Sequence, residues 1–173
     1  MSVTDYVADL WYMIAGRIAP PFCSAHPSFL HQLFQKALNE VSKQDGDMDI
    51  AVQLLQKILL TSPPEWMVFD QSGQLLNVIG WRITYHKDWF ASDHKVHRFK
   101  PGKCGRYVAH AYALMQAAAD DEALDLVAQI IERGDPGSDD VRIARLIRAA
   151  VRICQGQIQE GEDELRVLDV LDT

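Results

Sequence analysis

The feature that most constrains this chain is a recurrence. Short segments carry apolar residues at helical spacing, and each is closed by glycine, aspartate or proline. From Thr4 to Ala19, Val7, Leu10, Trp11, Ile14 and Ile18 fall on one face, with Thr4 as the N-cap and Pro20-Pro21 as the stop. Ser28 to Lys43 repeats the pattern with Leu30, Leu33, Phe34, Ala37, Leu38 and Val41, and Ser28 is placed to cap it. Gln44-Asp45-Gly46-Asp47 is a turn in which glycine supplies unusual dihedrals and Asp47 caps the next helix. Met48 to Leu60 returns with Ile50, Ala51, Leu54, Leu55, Ile58 and Leu59, and Ser62-Pro63-Pro64 ends it. Two helices joined by a short turn make a hairpin.

Two further hairpins follow. Arg106 to Ala119 is helical, Asp120-Asp121 turns the chain and caps the next helix, and Glu122 to Arg133 returns. Gly134 stands where a left-handed C-cap is expected, ahead of Pro136. Asp140 to Cys154, the turn Gln155-Gly156-Gln157 and Glu160 to Leu171 form the last pair. The expected fold is all-α: stacked antiparallel hairpins in one domain over 1–173. An N-terminal helix (1–21) precedes a first hairpin (28–63), an insertion (64–105) and two further hairpins (106–173).

The spacing within these units resembles the tetratricopeptide (TPR) family. That family sets a small residue after the first helix, alanine about five positions on, large apolar residues beyond it, and then proline. Gly46, Ala51, Leu55, Ile58 and Pro63 stand at those places. The next unit has Ala111, Ala118, Ala123, Val127 and Ile130, with Pro136 one residue late. The last has Ala149, Gly156, Gly161, Leu165 and Leu168. Of the early first-helix aromatics, only Tyr107 is near its place, and the interval from Ala123 to Gly161 exceeds the family repeat of about 34 residues. The resemblance implies helix pairs packed closely through small residues, with a groove that holds a partner helix or extended segment. It also implies an adaptor or chaperone-like role, such as a secretion chaperone or assembly subunit. A second copy of the chain is one way to cover the terminal faces, with the Trp11 face as the candidate contact.

The insertion departs from the pattern. Trp66 to Asp70 and Gln74 to Ile79, separated by Ser72-Gly73, fit a short β-hairpin. Leu75, Leu76, Ile79 and Ile83 equally fit a helix from Ser72 to Tyr85, and the helical neighbours incline the reading that way. From Trp81 to Tyr107, Arg82, Lys87, Lys95, Arg98, Lys100, Lys103 and Arg106 face only Asp88 and Asp93, in a chain whose net charge is -7. Aromatic residues interleave with the cations. Trp81, Arg82, Tyr85, Trp89, Arg98, Lys100, Lys103 and Arg106 are therefore the expected partner contacts. An acidic protein is the favoured partner, and nucleic acid the alternative, since stacking and phosphate contacts use the same residue types. The competing reading is structural: aromatics tucked into the core and cations paired with acidic helices. The acidity of the remaining chain opposes binding along nucleic-acid tracks.

Catalysis finds little support. His86, His94, His97 and Cys104, with Asp88 and Asp93, are the metal candidates, but only His94 and His97 form a close pair, and zinc asks for four ligands. Pro101-Gly102-Lys103-Cys104-Gly105 approaches a phosphate loop, yet His97 holds the first glycine's place and Cys104 replaces the hydroxyl residue. No GxSxG or HExxH occurs. A protein without enzymatic activity or cofactor is expected. Cys23, Cys104 and Cys154 are few and far apart, Asp5 and Asp9 interrupt any secretory signal, and no apolar run approaches a membrane span. A cytoplasmic protein with no membrane partner is the expectation.

Overall fold

A computed structural model describes residues 27–62, 65–85 and 104–172. The expected N-terminal helix with its Trp11 face, and Trp89, Arg98, Lys100, Lys103, His86, His94 and His97, lie outside these residues. The described chain is all-α: α1 (Pro27–Ser42), α2 (Met48–Thr61), α3 (Met67–Tyr85), α4 (Cys104–Gln116), α5 (Asp120–Arg133), α6 (Asp139–Cys154) and α7 (Ile158–Asp172). Each helix packs on its neighbour in sequence. In addition α1 meets α3, while α2, α4 and α6 touch one another as an inner layer. One continuous core joins all seven.

The inner layer follows from composition. α4 is apolar nearly all round, and Val108, Ala109, Ala111, Tyr112, Ala113 and Met115 are all buried. A helix of that kind has no solvent face and must be enclosed by others. α2 and α6 bury Leu55, Ile58, Leu59, Ile143, Leu146 and Ile147 against it, each worth about 1.5–3 kcal/mol relative to exposure. The TPR-like positions Ala51, Ala123, Ala149, Gly161, Leu165 and Leu168 are buried as well.

The segment that fits either hairpin or helix is a helix, and no strand forms among the described residues. α3 opens at Met67, earlier than Ser72, and buries Val68, Phe69, Ser72, Gly73, Leu76, Ile79 and Gly80, a helical series. The Ser72-Gly73 pair is therefore not a turn. A Cβ at Gly73 would lie 2.7 Å from the Tyr112 hydroxyl, and one at Gly80 would lie 2.2 Å from the Ala109 carbonyl oxygen. These glycines let α3 approach the α4 backbone. The buried Tyr112 hydroxyl is pushed up to about pKa 12, chiefly by burial, with a hydrogen bond to Gln116 opposing and the charge of Asp70 adding to the rise.

The turns show where local chemistry sufficed. Asp47 caps α2, its Oδ1 accepting from Asp49 N at 2.9 Å and Ile50 N at 3.3 Å. Gly46 is present for space, since a Cβ there would fall 1.6 Å from the Glu40 carbonyl oxygen. Asp120 and Asp121 do not form the turn before α5. They are its first residues, Ala119 holds the cap position without a side-chain bond, and the acidic first turn interacts favourably with the helix dipole. The turn itself uses Ala118 at φ 58°. Ala119 N donates to Leu114 O at 2.9 Å and Ala118 N to Met115 O at 3.1 Å, the paired bonds of a Schellman motif. α6 ends the same way, with Gly156 at φ 85° and Gln157 N donating to Arg152 O at 2.8 Å. Gly134 is not left-handed. It is extended, and a Cβ there would meet Val141 Cγ2 at 2.5 Å.

α6 and α7 run antiparallel across a charged seam. Buried Glu164 accepts from Arg148 Nε at 2.8 Å and from Arg145 Nη1 at 3.4 Å. One turn earlier Gly161 lies so close that a Cβ would meet Ile153 Cγ1 at 2.3 Å.

Candidate functional site

The flank of α2 meets the start of α6 in a polar cleft. Asp135 Oδ1 accepts from Gly137 N at 3.0 Å, which tightens the loop before α6. Ser138 Oγ donates to Asp135 O at 2.7 Å and accepts from Val141 N at 3.3 Å, so the helix start is held on both sides. Asp139 and Asp140 occupy the first turn. Opposite them, α2 presents Gln53, Leu54, Gln56 and Lys57, and these residues with Ser138, Asp139 and Asp140 enclose about 360 Å³. That volume lies at the lower end of ligand-sized pockets.

The helices beside the cleft are tied together. Arg106, at the start of α4, donates from Nε to Asp49 Oδ1 and from Nη2 to Asp49 Oδ2, both at 2.9 Å. This two-pronged bond ties α4 to α2 with geometry a lysine does not reproduce. A Cβ at Gly105 would lie 3.2 Å from Val52 Cγ1 and 3.7 Å from Asp140 Oδ1, so α2, α4 and α6 converge here. Asp140 is raised above the usual aspartate range, first by burial and further by the charges of Asp139 and Asp49, while the Gln56 amide opposes the rise. Gln56 is only 1% exposed, and its amide hydrogen-bonds to the Asp140 carboxylate, which is the influence that opposes the rise.

Of the contacts expected from sequence, Arg106 is in this cluster, where the charge pairing of the structural reading operates. Trp81 is half-buried on α3. Arg82 is exposed, and its Nη1 donates to the Val41 carbonyl at 3.2 Å, linking α3 to the end of α1. Tyr85 is the last residue of α3. Trp81 and Arg82 are about four helical turns of sequence away from the α3 start and do not line the cleft. Gln56 and the Asp139–Asp140 pair escaped the sequence reading. The available signal was Gln56 itself, a polar residue between Val52 and Leu59 on a face that is otherwise apolar.

Among the described residues no group of three or more His, Cys, Asp or Glu side chains is arranged to hold a metal ion. Cys104 is buried and Cys154 exposed, with the Cys154 thiol raised by partial burial and the charge of Asp120. No described helix is long and apolar enough to cross a membrane. No family model, curated protein or solved structure matches the chain.

Proposed function

We propose that this chain is a non-enzymatic protein-interaction module, an adaptor or chaperone-like subunit that receives a segment of a partner between α2 and the start of α6. The observation that carries this reading is the cleft itself. Its walls come from two inner-layer helices, the Arg106–Asp49 bond ties α4 to α2 beside it, and its lining mixes amide, carboxylate, ammonium and aliphatic groups. A peptide presents the complementary set: carbonyls, N–H groups and side chains at regular spacing. The TPR-like spacing of small residues agrees with this use. Trp81 and Arg82, at the far end of α3, belong to a second contact surface in the same proposal.

The test is affinity capture from native lysate at low and moderate salt, with a nuclease control and a photoreactive benzoylphenylalanine at Gln53. The expected result is one stoichiometric protein that survives nuclease and moderate salt and cross-links at position 53. Recovery of nucleic acid that is lost at moderate salt, with no cross-link, overturns the reading in favour of a basic nucleic-acid-binding segment.

A further inference from the structure

The seam between α6 and α7 carries more positive charge than it neutralises. Arg145, Arg148 and Arg152 are spaced three and four residues apart, so they share one face of α6, and each is partly exposed. Glu164 serves two of them. Its Oε1 accepts from Arg148 Nε at 2.8 Å, while the bond from Arg145 Nη1 is longer, at 3.4 Å. Arg145 Nε has no acceptor. The Arg152 side chain has no hydrogen bond or ion pair among the described residues, whereas Arg142, nearer the α6 start, has an interaction of its own. On α7, Glu162 and Asp163 pair with Arg166, and exposed Glu160 makes no ion pair with the row. Three guanidinium groups therefore share one carboxylate, in a chain whose net charge is -7. That carboxylate lies beneath: the Glu164 side chain is 8% exposed, against 17% for Arg145 and 19% for Arg148, so an approaching group meets the arginines first.

We infer that the α6–α7 face is a docking surface for an acidic helix of a protein partner, whose carboxylates, one helical turn apart, are received by Arg145, Arg148 and Arg152. This goes beyond the cleft reading and does not depend on it, since none of the three arginines lines the α2–α6 cleft.

Spacing and charge select the occupant. Guanidinium groups pair with carboxylate or phosphate through forked, charge-assisted bonds. With a rise of about 1.5 Å per residue, the row is about 10 Å long, in steps of about 4.5 and 6 Å. A single small anion covers only part of that length. Glutamates at i, i+3 and i+7 of a partner helix reproduce it. Exposed Val167, three residues after Glu164 on α7, offers an apolar contact beside the row. A nucleic-acid strand brings an unbroken series of phosphates, and the acidic residues of α7 oppose its extension past the arginines.

The test titrates a capped, alanine-rich helical peptide with three glutamates at this spacing, to millimolar concentration, into ¹⁵N-labelled full-length protein. Controls are the glutamine counterpart, a peptide with the three glutamates distributed around the helix, and an oligothymidylate of similar length. The matched peptide is expected to shift the Nε–Hε signals of Arg145, Arg148 and Arg152 saturably, with affinity about tenfold above either control peptide and falling with salt. Arg152→Gln, which breaks no bond within the described chain, should weaken the matched peptide about threefold and leave the urea midpoint unchanged. Equal affinity for a control peptide, saturable shifts elsewhere, undiminished binding by Arg152→Gln, or no saturable shift overturns the proposal. So does tighter oligothymidylate binding on the same arginines, which makes the row a phosphate surface. Cross-linking at position 53 tests the cleft separately, so either reading can fail alone.

Discussion

Replacing Ala118 with glycine should stabilise the protein, and replacing Gly156 with alanine should destabilise it, because the two residues occupy one position in two copies of the same turn. Ala118 has φ 58° and Gly156 has φ 85°, and each directs its own N–H and the next onto carbonyls of the preceding helix. The left-handed region costs an L-residue about 1–2 kcal/mol through the clash of Cβ with the following carbonyl. Glycine escapes that cost but gives back about 0.4–1 kcal/mol in unfolded-chain entropy. Ala118→Gly therefore gains about 0.5–1 kcal/mol, and Gly156→Ala loses a similar amount. No Cβ contact at Gly156 complicates the comparison, since nothing lies within 4 Å of that position. For a domain of this size each kcal/mol moves Tm by about 2–4 °C. Urea titration followed by circular dichroism at 222 nm reads both variants, with midpoints shifting in opposite directions at constant slope. A destabilised Ala118→Gly protein refutes the left-handed turn before α5 and, with it, the Schellman reading of the α4 end.

Glu164→Ala strands two arginines in the α6–α7 seam, where Arg145 Nε already lacks a partner. The expected loss is about 3 kcal/mol by chemical denaturation, and a loss below about 1 kcal/mol means that the pair is solvated. Gly80→Ala adds a Cβ 2.2 Å from the Ala109 carbonyl oxygen and should cost about 1–3 kcal/mol despite alanine's better helix propensity. A more stable variant would show that α3 does not approach α4 this closely. His110 is held below the ordinary imidazole range by burial, with Glu122 opposing, so its folded state binds protons less readily than the unfolded chain. Stability should fall as pH drops from about 6.5 through the folded value, and His110→Gln should flatten that slope in denaturation curves across pH 5–7.5.

Helical identity was legible because the apolar residues of each segment keep a period near 3.6 and the turns carry their own chemistry. Asp47 and Gly156 perform the roles their residue types announce. Ser72-Gly73 and Gly134 were misleading for one shared reason. Glycine signals a turn locally, but here it is required by a neighbour's backbone or side chain: Tyr112 and Ala109 for α3, Val141 for Gly134. That neighbour is distant along the chain for α3, so no local window contains it. Asp120-Asp121 has the composition of a turn, yet hydrogen bonding places the turn in the alanines before it.

By itself, the sequence determined the all-α class, most helix limits and the close-packed small residues, because these depend on periodicity and on side-chain volume. Only the tertiary structure decided which polar groups meet. Asp49 reaches Arg106 across 57 positions, and Gln56 faces Asp139 and Asp140 from a helix more than 80 residues earlier in the chain. Such pairings arise from the order in which helices stack, a long-range property that burial energy sets and that no residue in the cleft encodes alone.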